Sequence, residues 1–127
     1  MRSHAKVVIV GGGMMGVGLA YHLAEEGWKD VLLIDKGELT SGSTWHAAGQ
    51  CPSFISNYNR AKIHHYSNTL YPRLEEITGQ PAGWHGCGGI RLATTQEEGD
   101  WFRHVAGFSA NVGFHMEVIG PERIKEL

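Results

Sequence analysis

The apolar positions at the start of the chain follow a strand, helix, strand pattern. The run Lys6-Val7-Val8-Ile9-Val10 is rich in β-branched residues, as expected for a parallel strand that is covered on both faces. A stripe at helical spacing follows and comprises Leu19, Ala20, Leu23 and Ala24. Gly27 is expected to end this helix, and residues 31–34 form a second apolar run. The pattern therefore predicts a βαβ unit.

Two helices are predicted farther along by the same periodicity. Apolar residues recur at spacings of three and four at Ile63, Tyr66, Leu70, Leu74 and Ile77. Pro72 lies inside this stripe and should kink or break the helix. Thr95 and the glutamates after it are typical of a helix N-terminus. Trp101, Phe102, Val105 and Phe108 give that helix an apolar side.

The remaining patterns predict two further strands and a short helix. Residues 90–94 alternate, with Arg91 on the face opposite Ile90 and Leu92. Residues 114–119 also look like a short strand, and Pro121 suits the first turn of a helix.

The turn after the first strand, Gly11-Gly12-Gly13-Met14-Met15-Gly16, fits the pattern G-x-G-x-x-G. In this fingerprint Gly11 allows the tight turn, Gly13 lets a pyrophosphate approach the backbone, and Gly16 allows close packing of helix on strand. The free N–H groups of the helix that begins at Met14 and Met15 would point at the phosphates. The alternative is a glycine-rich turn that only packs a helix on a sheet.

Asp35 ends the second apolar run, where the nucleotide-binding pattern places a carboxylate that accepts a hydrogen bond from a ribose hydroxyl. Its charge would repel a 2′-phosphate, so FAD or NAD is favoured over NADP. Asp35 could instead serve only as a cap at the strand end, and Lys36 follows it as a further candidate binding residue.

Composition adds limits to this picture. The chain has 127 residues, enough for one domain and not for two, and is 42% hydrophobic and 19% charged with a net charge of −2. Neither sign of charge dominates, so neither a nucleic-acid face nor an anionic-membrane face is indicated. No apolar run approaches the length that spans a bilayer.

The cysteines and the N-terminus favour a cytoplasmic protein. Cys51 and Cys87 are far apart and outside any C-x-x-C spacing, which indicates two reduced thiols and neither a disulfide framework nor a metal site. Only six residues precede Val7, which leaves no room for a cleavable apolar segment.

Small and hydroxylated residues surround one tryptophan and one histidine in the segment Ser41-Gly42-Ser43-Thr44-Trp45-His46-Ala47-Ala48-Gly49. The serines and the threonine suit a helix N-cap whose N–H groups would face a second phosphate oxygen. A polar loop is the alternative.

This segment, extended back to Glu38, closely resembles the flavin-attachment segment of the dimethylglycine dehydrogenase and sarcosine dehydrogenase family. The resemblance continues through residues 62–64, 74–80 and 89–95 and so covers nearly the whole chain. It implies an α/β fold, a Rossmann-like FAD/NAD(P)-binding domain with a parallel sheet and flanking helices, followed by the start of a β-containing substrate subdomain. Residues 5–50 would form the βαβ core with the flavin-attachment segment, and residues 84–119 the start of the substrate side. Residues 1–127 would be the N-terminal part of a longer DAO-type oxidoreductase domain.

The resemblance assigns roles residue by residue. His46 matches the histidine that carries FAD through a covalent bond to the 8α-methyl group of the isoalloxazine ring, which requires a neutral imidazole nitrogen. Matches to the ADP-binding positions are Gly11, Gly13, Gly16 and Asp35. Matches to the hydroxylated stretch near the pyrophosphate and ribitol are Ser41, Ser43 and Thr44. Met14, Met15, Lys36, Ala48 and Gly49 complete the candidate cofactor-binding set. The match weakens at Gln50-Cys51-Pro52.

The implied function is oxidation of an N-methylated glycine, dimethylglycine or sarcosine. A hydride would pass from the N-methyl carbon to flavin N5, and the iminium would be hydrolysed or captured by a folate bound in a C-terminal part beyond this chain. No catalytic residue is assigned, and the electron acceptor stays open. Alternatives are another FAD-dependent amino-acid or amine oxidase of the superfamily, a noncatalytic regulatory relative, or an NAD-binding module.

Arg91 is a candidate ligand for a substrate carboxylate. The resemblance places the strand at residues 90–94 in the substrate-side sheet, and a guanidinium offers bidentate geometry to a carboxylate. A surface arginine on an edge strand is nevertheless the favoured interpretation.

Overall fold

A computed structural model of the protein describes residues 3–55 and 57–127. The chain divides into two compact units, of which the first ends at Gln50 and the second begins at Cys51.

The first unit is the predicted βαβ arrangement. Strand β1 (Val7–Val10) leads into helix α1 (Met14–Glu25), and strand β2 (Val31–Ile34) follows. The two strands pair in parallel, with Val7 opposite Val31 and Val10 opposite Ile34. A parallel pair needs a crossover connection, and α1 supplies it. The prediction of an α/β fold with a parallel sheet is confirmed.

Helix α1 ends where the sequence predicts. Gly27 adopts φ +83°, a left-handed conformation that glycine enters at little cost, and its N–H donates to the carbonyl of Ala24. The amide of Trp28 donates to the carbonyl of Leu23, which completes the C-terminal cap and turns the chain toward β2.

Coverage of the sheet differs from the prediction of strands buried on both faces. Ile9 is buried, whereas Val8 is 51% and Val10 is 80% exposed. Because side chains alternate along a strand, Ile9 lies on one face of the sheet and Val8 and Val10 on the other. Helix α1 covers only the first of these faces. The apolar character of β1 therefore predicts the strand correctly but not its burial on both faces.

The second unit is helical. It contains α2 (Tyr58–Leu70), a 3₁₀ turn (Tyr71–Arg73), α3 (Leu74–Thr78), α4 (Gln96–Val112) and α5 (Pro121–Ile124). Helix α2 packs against α4, and the buried residues are Ala61 of α2 with Val105 and Ser109 of α4. The predicted interruption at Pro72 is confirmed, because the proline lies in the 3₁₀ turn that separates α2 from α3.

The predicted apolar stripe of α2 is wrong in part. Ile63 is 66% exposed and Tyr66 is also exposed, whereas the small side chain of Ala61 is fully buried. The physical reason is that α2 and α4 approach through small residues, and hydrophobic spacing does not reveal which side of a helix meets a neighbour.

The strands predicted at residues 90–94 and 114–119 are also wrong. Within residues 3–55 and 57–127, the sheet consists of β1 and β2 alone. A strand requires a partner that accepts and donates its backbone hydrogen bonds, and neither segment has one there.

The helix starts of the second unit follow local rules. The side chain of Asn57 accepts a hydrogen bond from the amide of Arg60 at the start of α2. At α4, the Thr95 hydroxyl accepts from the amide of Glu98, and the Glu98 carboxylate accepts from the amide of Thr95. The N-terminus predicted at Thr95 is therefore confirmed as a capping box.

Within the described part of the chain, no helix is both long enough and apolar enough to cross a membrane.

Candidate dinucleotide-binding site

The glycine turn that follows β1 is held by hydrogen bonds to the end of β2. Gly11 adopts φ +106°, and its amide donates to the carbonyl of Ile34 at 2.8 Å. The next amide, of Gly12, donates to the Oδ2 atom of Asp35 at 2.5 Å. A left-handed conformation at Gly11 is accessible without strain because glycine has no Cβ. The turn is thus fixed by the end of β2.

Two glycines allow the close approaches that the fingerprint requires. A Cβ atom at Gly16 would overlap the backbone carbonyl oxygen of Gly11. A Cβ at Gly13 would lie 3.1 Å from the Oγ1 atom of Thr44. Gly16 therefore lets α1 lie against the end of β1, and Gly13 leaves space beside the start of the helix.

The N-terminus of α1 is capped from a distant segment. The amide of Met14 donates to the Thr44 hydroxyl at 2.8 Å, across thirty positions of sequence. The first amides of a helix have no acceptor within it, so those of Met15 and Gly16 stay oriented along the helix axis toward its N-terminus. Because the Thr44 oxygen accepts from Met14, its O–H proton remains available as a donor. Helix dipole and hydroxyl together favour an anion there.

Asp35 links the two loops at this end of the sheet. Besides the bond from Gly12, its Oδ1 atom accepts from the amide of Gly37 at 2.8 Å, which forms an Asx turn. These amides, first that of Gly12 and then that of Gly37, lower the pKa of the Asp35 carboxyl, and the charge of Lys36 adds a smaller effect. The carboxylate is therefore ionised and bound by both loops.

Residues 40–46 form a series of tight turns. Thr40 has φ +65°, an unusual conformation for a β-branched residue, and its amide donates to the carbonyl of Gly12. The carbonyl of Thr40 accepts from the amide of Trp45, and the amide of His46 donates to the carbonyl of Ser43. The helix suggested for this segment is absent from these described residues, because Thr44 caps α1 instead of a helix of its own.

These parts surround one open depression of about 590 Å³. Ten predicted site residues line it, namely Gly11, Gly13, Met14, Met15, Gly16, Asp35, Lys36, Ser41, Ser43 and Thr44. Three predicted residues, His46, Ala48 and Gly49, do not line it. These three residues follow the lining residues 40–44 in the sequence.

Sequence reasoning missed four lining residues, Val10, Gly37, Thr40 and Gly42. Gly37 carries a usable signal, because an aspartate two residues before a glycine is typical of an Asx turn. Thr40 and Gly42 carry no signal in the glycine fingerprint, since they reach the depression only through the turns of residues 40–46.

The imidazole of His46 has a defined orientation. Its Nδ1 atom lies 3.0 Å from the carbonyl oxygen of Gly42. A carbonyl oxygen only accepts, so Nδ1 carries the proton of the neutral ring and the lone pair lies on Nε2. The Trp45 ring meets the His46 ring edge to face with centroids 6.0 Å apart. Gly42, which lines the depression, therefore sets the tautomer of His46.

A glycine turn that feeds a helix N-terminus, beside a carboxylate at the end of the second parallel strand, defines a dinucleotide-binding protein. The chain belongs to the FAD dependent oxidoreductase family, which it matches over residues 6–127. FAD is accordingly its cofactor.

Three proteins of known name are similar to this chain over nearly its whole length. The chain is 50% identical to dimethylglycine dehydrogenase of Rattus norvegicus over 126 residues, which cover 99% of this chain and 15% of the relative. It is 38% identical to the pyruvate dehydrogenase phosphatase regulatory subunit of Mus musculus, covering 98% of this chain and 14% of that protein. It is 32% identical to human sarcosine dehydrogenase, with the same coverage. The chain thus spans about one seventh of these relatives.

These comparisons contradict the expected cytoplasmic location. These three relatives are mitochondrial proteins by name. The expectation was wrong because it relied on the lack of an apolar leader, whereas mitochondrial targeting segments are amphipathic and need no apolar run.

Proposed function

We propose that the protein is an FAD-dependent oxidoreductase that oxidises the CH–NH group of an N-methylated glycine, dimethylglycine or sarcosine. The residues around the depression hold the dinucleotide part of FAD, and His46 carries the flavin covalently. The names of the rat and human relatives support the substrate class.

The observation that carries this proposal is the hydrogen bond from the Met14 amide to the Thr44 hydroxyl. It brings the attachment segment onto the N-terminus of α1, so that one site offers helix amides, a hydroxyl and the glycine turn to a pyrophosphate. The clearance at Gly13 and Gly16 suits a backbone that a ligand must approach closely. The described residues therefore fit the cofactor.

Asp35 has two tasks in this proposal. Its oxygens accept from the amides of Gly12 and Gly37. A carboxylate has about four lone-pair directions, so further acceptor capacity remains for a ribose hydroxyl. Asp35 then both orders the glycine turn and binds the adenosine side of FAD.

His46 supplies the attachment point through its Nε2 atom. We place the bond to the 8α-methyl carbon there because Nδ1 carries a proton and donates it to Gly42. The carbonyl of Gly42 holds the imidazole in one orientation. Less rotational freedom of the side chain is therefore lost when the bond to the flavin forms.

The bound FAD would accept a hydride from the substrate, and the protein would bind and orient the reactants. Capture of the one-carbon unit by tetrahydrofolate, in a part of the protein beyond this chain, belongs to the same proposal.

A second candidate is a regulatory protein without turnover. The 38% identity to a phosphatase regulatory subunit favours it. Such a protein would keep the flavin site and lack oxidation of N-methylated amino acids, so the presence of flavin alone does not separate the two candidates.

Anaerobic reduction of the flavin does separate them. We expect dimethylglycine or sarcosine to bleach the visible flavin absorbance of the purified full-length protein, and dithionite to bleach it as a control. Bleaching by dithionite alone would support the regulatory candidate, and a protein that retains NAD in place of flavin would contradict both.

A further inference from the structure

Arg91 lies against an aromatic cluster in the second unit. Its guanidinium carbon is 4.7 Å from the centroid of the Phe54 ring. Phe54 meets Trp101 and Phe102 edge to face, with ring centroids 5.0 Å and 5.3 Å away. Both of these aromatic residues belong to α4, so the guanidinium is held over a ring that a helix supports.

The contact between Arg91 and Phe54 is a cation–π interaction, which leaves the N–H donors of the guanidinium for hydrogen-bond acceptors. A guanidinium has five N–H donors, which lie in its plane in a fixed fork. Two other arginines of this unit pair with carboxylates, Arg103 with Asp100 and Arg123 with Glu126. Among residues 3–55 and 57–127, Arg91 has no carboxylate within ion-pair distance. It is a preoriented cation whose hydrogen-bond donors have no carboxylate partner in the described chain.

We propose that Arg91 binds the carboxylate of the N-methylated amino acid, with Phe54 as the residue that positions it. The inference rests on the proposed function and names a binding residue for its substrate. The guanidinium edge matches a carboxylate in bidentate geometry. Trp101, which is 39% exposed beside Phe54, offers an aromatic surface to the methylated amine, a group that aromatic rings bind well.

The test compares an acid with its neutral amide in the full-length flavoprotein. Flavin reduction is followed with dimethylglycine and with dimethylglycinamide, which lacks the carboxylate. We expect Arg91→Gln to raise the half-saturating concentration of dimethylglycine by about 10- to 100-fold, the range for a lost charge-assisted hydrogen bond, and to leave that of the amide within about 2-fold. Arg91→Lys keeps the charge without the fork and should fall between wild type and Arg91→Gln. Phe54→Leu should weaken acid binding selectively as well.

Arg103→Gln is the matched control, because it removes an exposed arginine of the same unit that already has a partner. It should leave both half-saturating concentrations unchanged. Equal changes for acid and amide in Arg91→Gln, or no change in either, would overturn the proposal and leave Arg91 as a structural contact. If no N-methylated glycine reduces the flavin of the wild-type protein, the proposed function itself is overturned. That result differs from an effect of Arg91→Gln that is absent or equal for acid and amide, which overturns only the role of Arg91.

Discussion

The carboxylate of Asp35 accepts a hydrogen bond from the amide of Gly12, which joins the end of β2 to the glycine turn after β1. The same carboxylate accepts from Gly37 and so orders its own loop. A residue that the fingerprint assigns to ribose binding therefore also preorganises the backbone that faces the pyrophosphate. The conformation of the glycine turn therefore depends on the charge of Asp35.

This coupling predicts a dependence of stability on pH. The pKa of Asp35 lies below its ordinary value of 3.8 in the folded protein, so its contribution is complete well above pH 3.8 and is lost as the pH falls through the lowered pKa. Asp35→Asn should abolish that part of the dependence, because an amide does not titrate in this range. It should also destabilise the protein, because an amide has one acceptor oxygen and turns N–H donors toward the second backbone amide. The measurement is the urea midpoint of unfolding between pH 6 and pH 3.

Glu38→Gln serves as the control for that experiment, since Glu38 lies in the same loop and does not line the depression. It should keep the acid dependence of the wild type. An Asp35→Asn protein whose midpoint falls with acid as steeply as that of the wild type would show that Asp35 does not brace the turn.

Two glycines of α1 make a matched pair for the packing of helix on strand. Gly16→Ala would place a Cβ on the carbonyl oxygen of Gly11, so we expect a loss of about 1–3 kcal/mol and loss of bound flavin. At Gly18 a Cβ meets nothing within 4 Å, so Gly18→Ala should be neutral or stabilise by about 0.5–1 kcal/mol. Thermal unfolding and flavin content check both. Similar effects of the two substitutions would contradict the close approach.

The Thr44 hydroxyl should matter for cofactor binding and for α1. Thr44→Val keeps the shape but removes the acceptor of the Met14 amide, at a cost of about 1 kcal/mol. Flavin should be retained less well, whereas Thr44→Ser should behave like the wild type. Flavin content after dialysis, measured beside thermal unfolding, tests this. Full retention in Thr44→Val would remove Thr44 from the site.

The capping box of α4 predicts an effect on stability alone. Thr95→Ala should destabilise by about 1 kcal/mol, because the amide of Glu98 loses its acceptor. Glu98→Gln should destabilise in the same direction, while Gln96→Ala, one position along, should be nearly neutral. Thermal unfolding compares the three, and flavin content should not change in any of them.

The first unit could be predicted from the sequence because its signals are local. The strands, Gly27 and the glycine turn each depend on neighbours within a few residues, and so do the break at Pro72 and the cap at Thr95. Burial could not be predicted in the same way. Ala61 is buried and Ile63 exposed because of where α4 lies, which the spacing along α2 does not encode.

The site shows the same division. The spacing of Gly11, Gly13, Gly16 and Asp35 predicts them as site residues, and all four line one depression. The bond between Met14 and Thr44 joins positions thirty residues apart, so no local pattern reveals it. The strands predicted at residues 90–94 and 114–119 failed for a related reason, since alternation describes a face but does not supply a partner strand.

The most direct test of covalent flavin attachment at His46 is the fate of the flavin after denaturation. The full-length protein is unfolded in acid or detergent, and flavin fluorescence is followed with the polypeptide. We predict that flavin stays with the wild type and separates from His46→Ala, while His64→Ala, a substitution outside the site, retains it. Mass spectrometry of the flavin peptide should place the bond at His46. Flavin that separates from the wild-type polypeptide, or that stays with His46→Ala, would contradict covalent attachment at His46.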